Sequence, residues 1–241
     1  MSHRDSTPAS AEFLETLRDA HARQPYPKPV GRYAPKSLTV AISREAGSRG
    51  GTIAVRAGRK LSWQVYDQEL LEYLAHERHL NQDLFQMLDP LALEWVEEQL
   101  QALLKHQHIA QHRSLVELAR VVLAIGARGE AVIIGRGAGC MLPPESTVHV
   151  RIVAPLADRI AYMSQLERLT RDQAEEQVHK RDRQRAEFIA AHFDRQPSDV
   201  YQYDAVLNSS LLGEDLSAEL IARATQAKLA NRQTAGSRSV A

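Results

Sequence analysis

The run Ser43-Arg44-Glu45-Ala46-Gly47-Ser48-Arg49-Gly50-Gly51-Thr52 gathers glycines, arginines and hydroxyls into ten residues. These residue types suit an anion. Glycines let successive backbone N–H groups converge, and arginines add full positive charge. Ser48 or Thr52 offers a hydroxyl to a magnesium ion. The strict pattern G-x-x-x-x-G-K-[ST] is not met, because Gly50 stands where its lysine belongs. A tight turn that needs its glycines only for conformation is the bland alternative. A second glycine cluster, Gly135-Arg136-Gly137-Ala138-Gly139, invites a dinucleotide reading, but Cys140 occupies the place of the third small residue. Around 168–185 the chain is strongly basic, with Lys180, Arg181, Arg183 and Arg185 enclosing Asp182. Such a run is either a solvated helix face or a set of cations that closes over a ligand. Asp67 follows an apolar stretch and is placed to cap a helix. His108 and His112 have the i, i+4 spacing of metal ligands, with His106 nearby, but no carboxylate partner accompanies them, and no metal site is assigned.

The elements that must position these residues follow from hydrophobic pattern. Strands are predicted at Leu38–Ser43, Trp63–Tyr66, Ala131–Ile134, Val148–Val153 and Asp204–Asn208, each rich in β-branched residues. Helical spacing appears in Ile53, Ala57 and Leu61, and in Leu115, Leu118, Val122 and Ile125. Thr170 with Gln173 makes a capping box before the basic run. No strand is expected in 68–128, which reads as helices inserted between the second and third strands, with Leu91, Trp95, Leu100 and Leu103 as packing residues. Alternating strands and helices imply a three-layer α/β fold with a parallel five-stranded sheet. In such sheets ligands sit beyond the carboxyl ends of the strands.

The 241 residues carry 30 Lys+Arg against 30 Asp+Glu, a formal net charge of +0, and 44% hydrophobic residues. That balance excludes a strongly basic nucleic-acid binder as the main role. Cys140 is the only cysteine, which excludes a disulfide framework or a cysteine-cluster zinc site within one chain. No apolar leader and no 18-residue apolar run occur, so no membrane partner and a cytoplasmic location are expected. Residues 1–36 hold five of the ten prolines and read as a largely irregular extension. The folded body spans 37–224, and 225–241 is expected to fray. The sequence does not indicate an oligomeric state.

Taken in order, SREAGSRGGTIA, WQVYDQELL, AVIIGRGAG, HVRIVAPLADRI, KRDRQR and YDAVLNSS resemble the cytidylate kinase-like family of the P-loop nucleoside-monophosphate kinases. The resemblance covers about 37–224 and implies a P-loop kinase-like domain with an acceptor-side insertion at 68–128 and a lid at 165–195. It further implies ATP-dependent phosphoryl transfer to a nucleoside monophosphate, CMP or dCMP first, with Mg2+. On this reading Arg44 and Gly47 through Thr52 hold the donor phosphates, with Arg49 supplying the charge of the missing lysine. Arg136 holds the acceptor phosphate, while Asp67 organises acceptor and metal. Arg181, Asp182 and Arg185 match the R-D-x-x-R of the family lid, with Arg181 and Arg185 catalytic and Asp182 and Arg185 touching substrate. Ile134 and Gly137 stand where authentic cytidylate kinases keep aspartates. The alternatives are a nucleotide-binding protein without turnover and, on the third-strand glycines alone, a dinucleotide-dependent oxidoreductase.

Overall fold

The computed structural model describes residues 33–106, 109 and 112–238; most of the proline-rich extension lies outside them. Five strands, β1 (Thr39–Arg44), β2 (Gln64–Tyr66), β3 (Ala131–Ile134), β4 (Thr147–Val153) and β5 (Ala205–Asn208), form one sheet in the order β2-β3-β1-β4-β5. Every pairing is parallel. The strand ends lie within one residue of those the sequence predicts. β1 is central and its first four residues are buried, as a strand covered on both faces requires.

Its pleat divides the core in two. Val40 and Ile42 pack with Ile53 and Ala57 of α1 (Gly50–Leu61) and with Ala218 and Ile221 of a long C-terminal helix. Ala41 faces the other way, into a cluster with Trp95, Leu100, Leu118 and Val122. Those residues belong to the insertion, which comprises α2 (Gln68–His76), α3 (Arg78–Gln86), α4 (Pro90–His106) and α5 (Arg113–Arg128). Leu91, expected to pack, is instead 58% exposed in the first turn of α4. Tyr33, within the extension, is tied down: its ring lies 6.1 Å from Trp95 and its hydroxyl donates to the Ala127 carbonyl at 3.0 Å.

After β3 come the short α6 (Ala138–Met141), then β4, α7 (Leu156–Glu167) and α8 (Arg171–Phe193). Thr170 and Gln173 do form a capping box at the start of α8. The last helix, α9 (Ser209–Arg238), is interrupted only at Gly213. The sequence predicts fraying from about residue 225, whereas α9 continues to Arg238 and docks. Lys228 donates to the Thr147 carbonyl and to Asp204, and Arg232 donates to the Pro35 carbonyl. These polar anchors to distant backbone leave no apolar periodicity to read. Among the described residues no helix is long and apolar enough to cross a membrane.

Candidate active site

A cleft of about 780 Å³ opens at the carboxyl ends of the strands, between the insertion and α8. This is the topological switch point, where the chain crosses from β3 on one side of β1 to β4 on the other. β1 brings Ser43 and Arg44 to it, the turn after β3 brings Arg136, and the start of α2 brings Asp67. α8 contributes Arg181, Arg185 and Phe188 from successive turns. β4 contributes His149 and Arg151, two residues apart and therefore on one face, in register with Ala41 and Ser43.

Most of these cations have an acid. Arg136 pairs with Glu72 of α2 and lies over the Phe188 ring. Arg181 forks onto Glu167 at 2.7 and 3.0 Å. Arg151 lies 3.7 Å from Glu45 and Arg185 lies 3.8 Å from Asp182. Arg44 makes no ion pair within 4.0 Å among the described residues. Burial, with Arg185 and Arg136 alongside, lowers its pKa to about 10. It remains a cation at neutral pH, desolvated and repelled by its neighbours. Such a cleft favours a multiply charged anion such as phosphate.

His149 is the polar exception. Its Nδ1 meets the Gln202 carbonyl at 2.9 Å, so that nitrogen carries the proton. Nε2 is then the acceptor for the Ser43 hydroxyl at 3.1 Å. Burial, chiefly, pushes its pKa down to about 4, and the ring is neutral at pH 7.

The glycine loop lies beside the cleft rather than lining it. Gly47 and Arg49 adopt left-handed conformations, with φ of 78° and 60°, and α1 begins at Gly50. Ser48 is fully buried, and its hydroxyl is spent on the carbonyls of Glu45 and Ile152. Of the two hydroxyls expected to reach a metal, that leaves Thr52. Arg49 points away from the cleft. Its guanidinium lies 5.0 Å from the Tyr162 ring of α7, with Glu214 of α9 at 3.9 Å. Asp182 turns to the loop as well: it accepts the Ala46 N–H at 2.7 Å and pairs with Arg159. Arg159 also donates to the carbonyls of Ala46 and Ala154, bracing the loop from α7.

The fold thus brings Arg44, Asp67, Arg136, Arg181 and Arg185 to one cleft, and leaves Arg49 and Asp182 outside its lining. His149 and Arg151, which line the cleft, and Glu72, which pairs with Arg136, are residues that the motifs did not single out, whereas Arg159, which the sequence offers as a further lid residue, lies outside the lining and braces the glycine loop with Asp182. The polar His-x-Arg alternation in β4, set among valines and isoleucines, is the signal that could have found two of them. The glycines after β3 accommodate protein rather than ligand: a Cβ on Gly137 would meet the Phe193 ring, and one on Gly139 the His149 ring. His112 stacks edge-on against His192, whereas His108 and the His106 side chain lie outside the described residues.

The family model described as "Cytidylate kinase-like family" matches residues 39–211. An uncharacterized protein from Eubacterium ventriosum ATCC 27560 superposes with a TM-score of 0.64 at 17% identity, over 79% of this chain and 99% of that one. At that identity the likeness is one of fold. Shikimate kinase from Bacteroides thetaiotaomicron is 15% identical over 80% of this chain and 98% of its own, with a TM-score of 0.43. No curated protein matches the chain.

Proposed function

This chain belongs to the cytidylate kinase-like family, and on that premise we propose that it transfers the terminal phosphoryl group of ATP to a nucleoside monophosphate, CMP or dCMP. The observation that carries the reading is the convergence of Arg44, Arg136, Arg181 and Arg185 on one cleft at the strand ends. Phosphoryl transfer asks little covalent chemistry of a protein. It needs alignment and positive charge around the phosphoryl oxygens.

The donor phosphates lie against residues 47–52, where the first N–H groups of α1 have no intrahelical partner. Arg136 forks onto the acceptor phosphate, exchanging its present partner Glu72 for substrate oxygens. The insertion at 68–128 forms the acceptor side, and 165–195 acts as the lid that brings Arg181 and Arg185 down. Asp67 fits a magnesium ion: one carboxylate oxygen caps α2 through the Leu70 N–H at 2.9 Å, leaving the other for a cation held mainly by phosphates and water. The metal, when bound, neutralises developing charge on the transferring group.

A turnover assay with ATP, Mg2+ and a panel of monophosphates tests the reading, and transfer is expected to CMP or dCMP. Arg136→Lys should weaken CMP binding at least tenfold more than ATP binding, because lysine keeps the charge and loses the fork. Binding of ATP without transfer to any monophosphate would instead establish a nucleotide-binding protein, the reading that Gly50 in the lysine position favours.

A further inference from the structure

We propose that Arg44, reaching in from the end of β1, takes the place of the lysine that Gly50 has displaced, and is the residue whose charge meets the transferring phosphoryl group. The inference rests on the donor-and-acceptor reading of the cleft. It reassigns to Arg44 the role that the loop sequence gives to Arg49.

Two glycines mark the course of the Arg44 side chain. A Cβ on Gly50 would lie 2.7 Å from Arg44 Cβ, 3.2 Å from Cγ and 3.3 Å from Cδ, so the arginine stem runs over the first residue of α1. At the far end a Cβ on Gly135 would collide with the Arg44 Nη1. The Arg44 side chain therefore runs from the start of α1, on the donor side, where its stem lies, to the Gly135-Arg136 turn, on the acceptor side, where its guanidinium lies. Any group passing from one to the other travels past it. Gly50 has no positive φ, and the three nearest atoms to its missing Cβ all belong to Arg44. Glycine is required at 50 by the arginine and not by the backbone. Position 50 with lysine and position 44 with arginine are thus two ways of delivering one cation to one place, and each sterically excludes the other. Arg49 fails on the same grounds: Tyr162 and Glu214 hold it on the opposite side of the loop.

Inorganic tripolyphosphate, a mimic of the donor phosphates, provides a readout that does not depend on turnover. Titrated at fixed ionic strength, Arg44→Gln should lose at least tenfold in affinity, and Arg49→Gln less than threefold. The reverse order, or an Arg44→Gln affinity within twofold of wild type, overturns the assignment. In the ATP and CMP assay, Arg44→Gln should lower kcat at least 100-fold with KM for CMP within threefold, the signature of a contact made in the transition state. A kcat within threefold of wild type also overturns it. The exchange Arg44→Gly/Gly50→Lys should regain at least tenfold in kcat over Arg44→Gly alone, whereas Gly50→Lys by itself should lose activity by displacing Arg44. If Arg44→Gln does not fold, the exchange variant decides by the same two measurements: tripolyphosphate affinity within threefold of wild type supports the assignment, and a loss equal to that of Arg44→Gly rejects it. Should wild type transfer to no monophosphate, the kinase reading falls, and the tripolyphosphate titrations still decide the place of Arg44.

Discussion

His149 is a neutral imidazole kept so by burial, with Arg195 and Arg151 opposing its protonation and Asp204 and the Gln202 carbonyl favouring it. Its pKa falls from 6.5 to about 4 on folding. Between those values the unfolded chain binds the proton and the folded one does not, so acid favours unfolding. The contribution of this residue is intact above pH 6.5 and declines as pH falls toward 4, by roughly 3 kcal/mol in all and about 2 kcal/mol by pH 5. His149→Gln removes the titrating group. Its loss of stability relative to wild type should therefore be larger at pH 7.5 than at pH 5, measured by urea unfolding at both. An equal loss at the two pH values would mean that the ring is not buried neutral. The same neutrality matters to the cleft, because it leaves Nε2 free to accept from Ser43 rather than adding another cation beside Arg44 and Arg151.

At the scale of elements, α8 meets the glycine loop through one carboxylate and through an apolar cluster of Ala46 with Ala174 and Val178. Asp182 accepts the Ala46 N–H and pairs with Arg159, whose side chain is 11% exposed. Removing the acid leaves a nearly buried guanidinium with Glu45 at 3.4 Å as its remaining acidic partner. Asp182→Ala is expected to cost about 2 kcal/mol, at the low end for a broken pair because the acid itself is partly solvated. An unchanged urea midpoint would show that the Asp182 pair adds nothing to the hold of α8 on the loop, leaving that hold to the apolar cluster of Ala46, Ala174 and Val178. Elements of this kind were largely readable from sequence. β-Branched strands, the capping box of α8 and the helical insertion each have a local chemical signature. What the sequence does not carry is direction. Arg44 and Arg49 are equal in composition, but Arg44 ends β1 on the face of Val40 and Ile42, so its stem runs over Gly50 and its guanidinium reaches the cleft beside Gly135, while Arg49, in a left-handed backbone, lies against Tyr162 of α7 and Glu214 of α9. Ser48 and Thr52 differ in the same way, one hydroxyl consumed by carbonyls more than a hundred residues apart in the chain, Glu45 and Ile152.

Across the whole molecule, the two ends of β1 do different work. Its carboxyl end delivers Arg44, and its amino end is fastened by α9, since Arg232 donates to the Pro35 carbonyl at 3.0 Å and to the Ser37 carbonyl at 3.4 Å. Lys228 fastens β4 in the same manner through the Thr147 carbonyl at 2.6 Å and bridges to Asp204 before β5. Leu229, between them, packs against the α1 side of the sheet. The C-terminal part of α9 therefore clamps three strands whose opposite ends build the cleft. Truncation after Gln226 removes two charged anchors, Lys228 and Arg232, and the packed side chain of Leu229, and should cost roughly 2–4 kcal/mol. Lys228→Ala and Arg232→Ala should each account for about 1 kcal/mol. Urea unfolding of the three variants measures this directly. A truncated protein with the wild-type midpoint would show that α9 beyond Gln226 adds nothing, and the clamp would then be a contact without consequence. A truncated protein that loses stability while keeping its tripolyphosphate affinity would place the clamp's effect in the fold alone, with β1 holding Arg44 in position from its own packing.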